Sequence, residues 1–238
     1  MALVQRALTG ASLALALATT ATAQPAVPPG KVSPKAAALL SELRAELAAF
    51  RAQQAALPPP KDVAEDLSRR ARLDAVARDG VTDVMRSDLS QVEKGHALQQ
   101  LFEEIVAIDA DNTRALTAAL PQEGWFTRSK YGEKVGADAW LIVQHSPDTA
   151  FQQAILNRIE PLVATGEINP RDYALLFDRV QVKGNRPQRY ASQAHCVSGA
   201  WGFLAVEDIS AVDQRRAAIG WTETLTDTEA RLRIGASC

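Results

Sequence analysis

Apolar residues at helical spacing predict that the chain is built mainly of helices. The first such pattern starts at Ser33, a typical N-cap residue, and Pro34, which suits a first helical turn. The pattern stops at Pro58, so we expect one helix that docks as part of a helical hairpin. Its seam alternates spacings of four and three residues and consists of Ala36, Leu40, Leu43, Leu47, Phe50, Gln54 and Leu57.

Seven further helices are predicted after residue 60. Asp79-Gly80 is a turn signal, and Pro147 disfavours helical geometry in the residue before it. Asp148 and Asn169 are each well placed to N-cap the helix that follows. The helices are expected over about 61–78, 85–120, 133–146, 149–165, 170–179, 212–219 and from about 226 onward.

The spacing changes to a period of two after Arg179, which predicts a small β element. Residues 180–182 and 188–191 flank a turn, and residues 202–206 form a third candidate strand. The predicted fold class is mainly α, with a small antiparallel β-hairpin or sheet near residues 180–206. We expect a single helical globular domain with an N-terminal helical extension.

The first residues predict export. Arg6 precedes an apolar run over residues 8–18, and the small residues Ala21-Thr22-Ala23 follow, which describes a cleavable secretory signal. An uncleaved membrane anchor is the alternative, but the run is shorter than the ~20 residues that span a bilayer. We expect a periplasmic or secreted protein without a transmembrane segment after cleavage. The expected domains are a signal peptide (1–23), a Pro-flanked N-terminal helix (24–60) and a globular domain (61–238).

Composition is that of a soluble globular protein. Of 238 residues, 47% are hydrophobic and 23% charged, which excludes intrinsic disorder and collagen-like repeats. The 26 basic and 28 acidic residues give a net charge of -2, and loss of Arg6 with the signal would leave 25 against 28, or -3. Because no long basic run is present, we expect no nucleic-acid partner.

Two cysteines, Cys196 and Cys238, form an even pair in a chain that is expected to be exported. An oxidising compartment favours a disulfide between them. Cys238 is the last residue, where chain ends fray, so a bridge between two chains through Cys238 is the alternative.

His145 and Asp178 are candidate catalytic residues. His145 ends its predicted helix, where a protonated ring is stabilised by the helix dipole, so it is either a capping or solvated side chain or a general base. Asp178 stands near a helix end that disfavours a carboxylate and therefore needs a partner. That partner is either an arginine, such as Arg171, or the ring of His145 in an acid–base pair. Arg179 would stabilise a developing anion.

Amide and aromatic side chains are the candidate ligand-binding residues. Gln188 and Tyr190 share one face of a predicted strand, and their uncharged hydrogen-bonding groups suit a sugar or a peptide backbone. Hairpin residues that satisfy a neighbouring helix end would look the same. The full candidate set is Trp125, Gln144, Gln188, Tyr190 and Gln193.

Motifs for common chemistries are absent from the sequence. It contains no Gly-rich phosphate loop, no G-x-S-x-G elbow and no H-E-x-x-H pair, so no cofactor is expected. His145 and Asp148 are close in sequence, but Pro147 breaks the helix that would align them as metal ligands. We therefore expect no metal site.

Four short motifs resemble those of a bacterial family described only as a domain of unknown function. That family's pattern has an acid and an Asn ahead of Gly-Trp, then QH-x-x-D, DR and Q-x-Y-G-T-Q segments. Asp109 and Asn112 match the first motif, and the resemblance covers about residues 109–225. This chain departs at Ala191-Ser192, where the family has Gly-Thr, and at Phe126, where a Pro is usual. The matching residues are Gly124-Trp125, Gln144-His145 with Asp148, Asp178-Arg179, and Gln188, Tyr190 and Gln193.

The resemblance implies that the polar motif residues meet in one place, but it implies no reaction. The set is Gln144, His145, Asp178, Arg179, Tyr190 and Gln193. Three hypotheses follow. The first is an exported domain that binds a polar small molecule or partner, and the second is a hydrolase-like enzyme that uses a His145/Asp178 pair. The third is a structural envelope module that assembles with an envelope protein through the seam of the first helix.

Overall fold

A computed structural model describes residues 32–197 and 200–234, which belong to one compact unit that begins at Val32. The predicted signal peptide and Cys238, the predicted partner of Cys196, lie outside the described residues. Within the described ranges, no helix has both the length and the apolar composition needed to cross a membrane.

The described residues form nine α-helices, one short 3-10 helix and two strands, which confirms the predicted fold class. The helices are α1 (Pro34–Ala55), α2 (Val63–Arg86), α3 (Gln91–Ala119), α4 (Arg128–Tyr131), α5 (Glu133–His145), α6 (Thr149–Val163), α7 (Pro170–Lys183), α8 (Val212–Ala218) and α9 (Leu225–Ile234). Strands β1 (Ala194–Val197) and β2 (Ala200–Phe203) follow α7, and the 3-10 helix Ile209–Ala211 precedes α8.

Side-chain N-caps fix where the helices start. Ser33, Asp148 and Asn169 each accept a backbone N–H of the helix that follows, as the sequence predicts. Asp62 caps α2 in the same way. Ser90 caps α3 and forms a reciprocal pair with Glu93, whose carboxylate accepts the Ser90 N–H.

Helices α1, α2 and α3 pack together along the seam of α1. Leu40 lies in a cluster with Val84 and Leu101, and Leu47 lies in a second one with residues of α2 and α3. Leu40 and Leu47 of the seam therefore pack against helices of their own chain, as the hairpin prediction expects. Leu57 falls beyond the end of α1 and is 45% exposed, so its assignment to the seam was wrong.

Helix α2 continues through Asp79-Gly80, where the sequence predicts a turn. The reason is packing: Gly80 is buried, and a Cβ built on it would lie 3.6 Å from a methyl carbon of Leu43 and 3.8 Å from one of Leu101. A glycine in the middle of a helix costs about 1 kcal/mol relative to alanine, and tertiary contacts outweigh that cost here.

The main hydrophobic core lies between α5, α6 and α7, together with the loop before α4. Trp125 and Phe126 are each 1% exposed and stack edge to face, with ring centroids 6.2 Å apart. The buried core residues of the three helices are Val135, Ala139, Ile142, Val143, Ile155, Leu156, Ile159, Tyr173, Ala174, Leu176, Phe177 and Val180.

The β element lies later in the chain than the alternating pattern predicts. Residues 180–182 continue α7 to Lys183, because Val180 falls on the same buried helix face as Leu176 and Phe177. Residues 188–191 are a loop with one isolated bridge, Gln188 to Val206. The observed antiparallel pair joins β1 to β2, and only β2 overlaps the predicted third strand.

We expect Gly80→Ala to stabilise the protein. The new methyl group meets its neighbours at ordinary van der Waals distances, and the helix gains about 1 kcal/mol in propensity, which raises the melting temperature by roughly 2–4 °C. Gly80→Leu is the matched control, because it places a bulky side chain against Leu43 and Leu101 and should lower the melting temperature. A lower melting temperature for Gly80→Ala would contradict this packing of α1 on α2.

Candidate functional site

A charged cluster lies where α2, α3 and α5 meet. Asp74 and Arg78 come from consecutive turns of α2, Asp109 from α3 and His145 from the end of α5. Both carboxylates are almost fully buried, with side chains 3% and 6% exposed. The Arg78 and His145 side chains are 27% and 22% exposed, so solvent reaches the cluster from their side.

His145 is held by Asp74. Its Nδ1 lies 3.0 and 3.1 Å from the two carboxylate oxygens of Asp74, a residue 71 positions earlier in the chain. A carboxylate in this position keeps a proton on Nδ1 of a neutral ring and leaves Nε2 as the basic nitrogen. The pair is therefore the arrangement of an oriented general base.

Arg78 joins the two buried carboxylates. Its Nη2 donates to Oδ1 and Oδ2 of Asp109 at 3.1 and 3.0 Å, and its Nη1 lies 3.1 Å from Oδ1 of Asp74. Burial raises the pKa of Asp109, whereas the Arg78 guanidinium acts to lower that pKa. The guanidinium is the cation that allows two carboxylates to be buried side by side.

Arg179 extends the cluster from α7. With the Gln144 amide turned so that its oxygen faces the guanidinium, that oxygen accepts hydrogen bonds from Nε and Nη2 of Arg179, both at 2.9 Å. Burial lowers the pKa of Arg179, and the positive charge of Arg78 lowers it further. Among the described residues, no carboxylate forms an ion pair with Arg179, so its partner is a neutral amide.

Lys183 lies one helical turn beyond Arg179 on the same helix. Its ammonium group donates to Oε1 of Gln152 at 2.8 Å and lies 3.5 Å from the Ser146 carbonyl oxygen. Burial lowers the pKa of Lys183, and the charge of Arg179 adds to that effect. Gln152, fully buried, donates in turn to the Val143 carbonyl at the end of α5. This network fixes α5, α6 and α7 around the cluster.

Two carboxylates and an imidazole are also a possible metal-ligand set. One donor atom each of Asp74, Asp109 and His145 lies within 4.8 Å of the others. However, Arg78 already contacts both carboxylates, and its positive charge would repel a metal ion at the same oxygens. The two carboxylates therefore suit the Arg78 guanidinium better than a divalent metal ion.

Asp178 has neither of the partners that the sequence suggested. Its Oδ1 accepts the backbone N–H groups of Arg189 and Tyr190 at 2.7 and 3.0 Å, and its Oδ2 accepts that of Ser192 at 2.9 Å. The side chain is fully buried. The predicted ion pair with Arg171 and the predicted pair with His145 were therefore wrong, because a loop that follows α7 folds back over this carboxylate. The acidic partner of His145 is Asp74.

The side-chain amide of Gln188 holds the loop over residues 188–193 together. Gln188 donates to the carbonyl oxygens of Gln193 and Leu204, and its side-chain oxygen accepts the Gln193 N–H at 2.8 Å. Ala191 has a φ of 51°, in the left-handed region that favours glycine. The turn at this position is therefore formed by a strained residue.

Trp125 and Tyr190 are largely core residues. Trp125 is 1% exposed and borders a cavity of about 50 Å³ that also includes Asp172, whose pKa burial raises to about 6. Tyr190 is 4% exposed, and its ring packs edge to face on Phe177 with centroids 5.6 Å apart. The Trp140 indole donates to the carbonyl oxygen of Asp172, a residue that lines this cavity, at 2.9 Å.

The structure divides the predicted polar set into two groups. Gln144, His145 and Arg179 lie in or beside the charged cluster. The loop group is Asp178, Gln188, Tyr190 and Gln193, and no hydrogen bond or ring contact between described residues links its last three members to the cluster. The neighbours Asp178 and Arg179 point to different places from α7, so the motif set does not meet in one place.

Sequence reasoning missed Asp74 and Arg78. Both lie on the helix predicted over about 61–78, upstream of the motifs that carry the resemblance. A spacing of four residues between an acid and a base is common on the exposed face of helices and does not by itself indicate burial. The signal that was available is that both fall on one helix face with Ala71 and Ala77, which are buried.

A family model described as a family of unknown function, DUF6624, matches residues 71–233, more than half of the chain. The match extends further toward the N-terminus than the motif resemblance and includes every residue of the charged cluster. Searches of curated proteins and of solved structures found no match.

We expect Asp178→Asn to destabilise the protein strongly. The asparagine amide would turn an NH2 group toward one of the three backbone N–H donors, which removes a charge-assisted hydrogen bond and leaves a buried donor unpaired. A loss of about 2 kcal/mol lowers the melting temperature by roughly 4–8 °C.

Asp79→Asn, an exposed change on α2, is the control and should leave the melting temperature unchanged. If Asp178→Asn had the same melting temperature as the wild type, Asp178 would not be the anchor of the loop.

Proposed function

We propose that this chain, which belongs to the family of unknown function DUF6624, binds a small anionic molecule at Arg179 beside the charged cluster. The observation that carries the proposal is a largely buried guanidinium whose one hydrogen-bond partner among the described residues is the Gln144 amide and which lies near a second guanidinium, that of Arg78.

A buried cation such as the Arg179 guanidinium needs groups that replace its lost hydration. Taking a charged group out of water costs several kcal/mol unless an opposite charge or strong hydrogen bonds replace the lost hydration. Arg78 already forms ion pairs with Asp74 and Asp109. No acidic side chain among the described residues forms an ion pair with Arg179. A bound anion would supply the missing counter-charge.

The chemistry of the surroundings favours a carboxylate or phosphate group. A guanidinium binds either group through paired N–H donors, and Lys183 lies one turn away on the same helix face. His145, with Nδ1 held by Asp74, has its second ring nitrogen free to donate to the same anion when it is protonated. Since the His145 side chain is 22% exposed, a small ligand can reach this group from solvent.

The test is a thermal-shift and calorimetric titration with sodium phosphate and sodium acetate at constant ionic strength. We expect phosphate or acetate to raise the melting temperature of the wild type and to leave that of Arg179→Gln unchanged. Without added anion, Arg179→Gln should melt at or above the wild-type temperature, because it removes an uncompensated buried charge.

Arg114→Gln is the matched control, since Arg114 is 72% exposed and pairs with Asp111 on the surface. It should keep the wild-type response. Equal responses of wild type and Arg179→Gln to both anions would refute the proposed site.

A second candidate function, a hydrolase-like activity, is favoured by the Asp74–His145 pair. In it, Nε2 of His145 takes a proton from water as the water oxygen attacks an ester carbonyl carbon. Arg179 stabilises the oxyanion, and the protonated ring then returns its proton to the leaving alcohol. Asp74 replaces Asp178 as the residue that orients the ring.

This activity is tested with p-nitrophenyl acetate. We expect His145→Gln to lose about 100-fold or more of the wild-type rate of p-nitrophenolate release, because general-base catalysis typically contributes that much. Asp74→Asn should lower the rate while His96→Gln, a change of a histidine outside the cluster, should not. A wild-type rate equal to that of His145→Gln would exclude catalysis by this pair and would leave the anion-binding proposal to its own test.

Export of the chain to a periplasmic or secreted location is likewise our proposal, supported by the residues that precede Gln24.

A further inference from the structure

A polar cleft, separate from the charged cluster, lies between α6, α7 and the end of α8. Its volume is about 430 Å³, which is within the range of small-molecule sites. The lining includes Glu160, Tyr173, Arg189 and Tyr190 together with apolar side chains. None of these residues belongs to the charged cluster, so the cleft is independent of the proposed anion site.

The polar part of the cleft lining has a carboxylate, a guanidinium and two phenols. The Tyr173 hydroxyl donates to Oε1 of Glu160 at 3.1 Å. The Tyr173 and Tyr190 rings pack edge to face, with centroids 6.2 Å apart. The cleft therefore offers one acidic and one basic side chain together with two phenols.

The Arg189 side chain is held in place by Phe177 and Glu207. Its guanidinium lies over the Phe177 ring, 4.5 Å from the centroid, and its Nε contacts Glu207 at 3.3 Å. The backbone N–H of Arg189 is anchored by Asp178. A cation that is held flat on a ring in this way presents its remaining N–H groups in a defined direction, as recognition of a carboxylate requires.

The remaining residues of the cleft lining are apolar. Val163 and Ile219 are partly exposed, and Ala164 and Ala218 are small exposed residues. These side chains offer van der Waals contact to an aliphatic group but no hydrogen bonds. A ligand that matches the whole lining needs a carboxylate, an ammonium group and an aliphatic side chain.

We infer that this cleft is a second ligand site, which binds a free α-amino acid with an aliphatic side chain. Arg189 receives the carboxylate, Glu160 receives the ammonium group, and Val163 and Ile219 contact the side chain. Tyr173 and Tyr190 supply hydroxyl groups to the polar end of the ligand between the two charges.

The experiment is calorimetric titration of the full-length Arg179→Gln protein, which lacks the proposed anion site, with L-leucine and two analogues, each of which lacks one charge. We expect leucine to bind with a Kd of about 1 mM or lower, and 4-methylpentanoate and 3-methylbutylamine to bind at least about tenfold more weakly. Arg189→Gln and Glu160→Gln should each weaken leucine binding about tenfold or more. Glu160 lies on an exposed part of α6, so its variant remains informative if Arg189→Gln unfolds.

The Arg179→Gln background separates this inference from the proposed function, because a carboxylate can then no longer bind at the anion site. In the chain that keeps Arg179, Arg189→Gln should leave the phosphate response unchanged. The inference is overturned if leucine shows no saturable binding, if either analogue binds as tightly as leucine, or if both variants bind leucine as tightly as their Arg179→Gln parent does.

Discussion

The packing of α2 against α3 and α5 depends on the guanidinium of Arg78. Two carboxylates, Asp74 and Asp109, are buried where the three helices meet, and burying both side by side requires a compensating positive charge between them. Arg78 supplies that charge and stays partly in contact with solvent. Asp74 contacts both Arg78 and His145, so the ion pair that allows the helices to pack also positions the His145 ring.

Much of the fold follows from local signals in the sequence. The N-caps at Ser33, Asp148 and Asn169 act through neighbouring backbone groups, and each was identified correctly. The misplaced features depend on distant contacts. Gly80 stays helical because Leu43 of another helix covers it, and residues 180–182 stay helical because Val180 completes a buried face. No local propensity encodes either contact.

The candidate site was predicted only in part, and the residues that were missed are again those that act through distant contacts. His145 was recognised as a candidate general base and Arg179 as a candidate anion-stabilising residue, but their hydrogen-bond partners were not identified. Asp74 is 71 residues away from His145, a separation at which one sequence gives no pairing information. Asp178 was correctly singled out as a carboxylate that needs partners, and the partners are backbone N–H groups, which every sequence contains and no motif reveals.

Two adjacent residues of α7 make contacts in different parts of the structure, and this affects the conformational entropy that is lost on ligand binding. Asp178 ties the helix to the loop over 188–193 through three hydrogen bonds, and Arg179 extends from the same turn toward the charged cluster. The backbone beneath Arg179 is already ordered before any ligand arrives. Binding at this guanidinium therefore has to immobilise only the ligand and one side chain, which confines the conformational entropy lost on association to a few rotatable bonds.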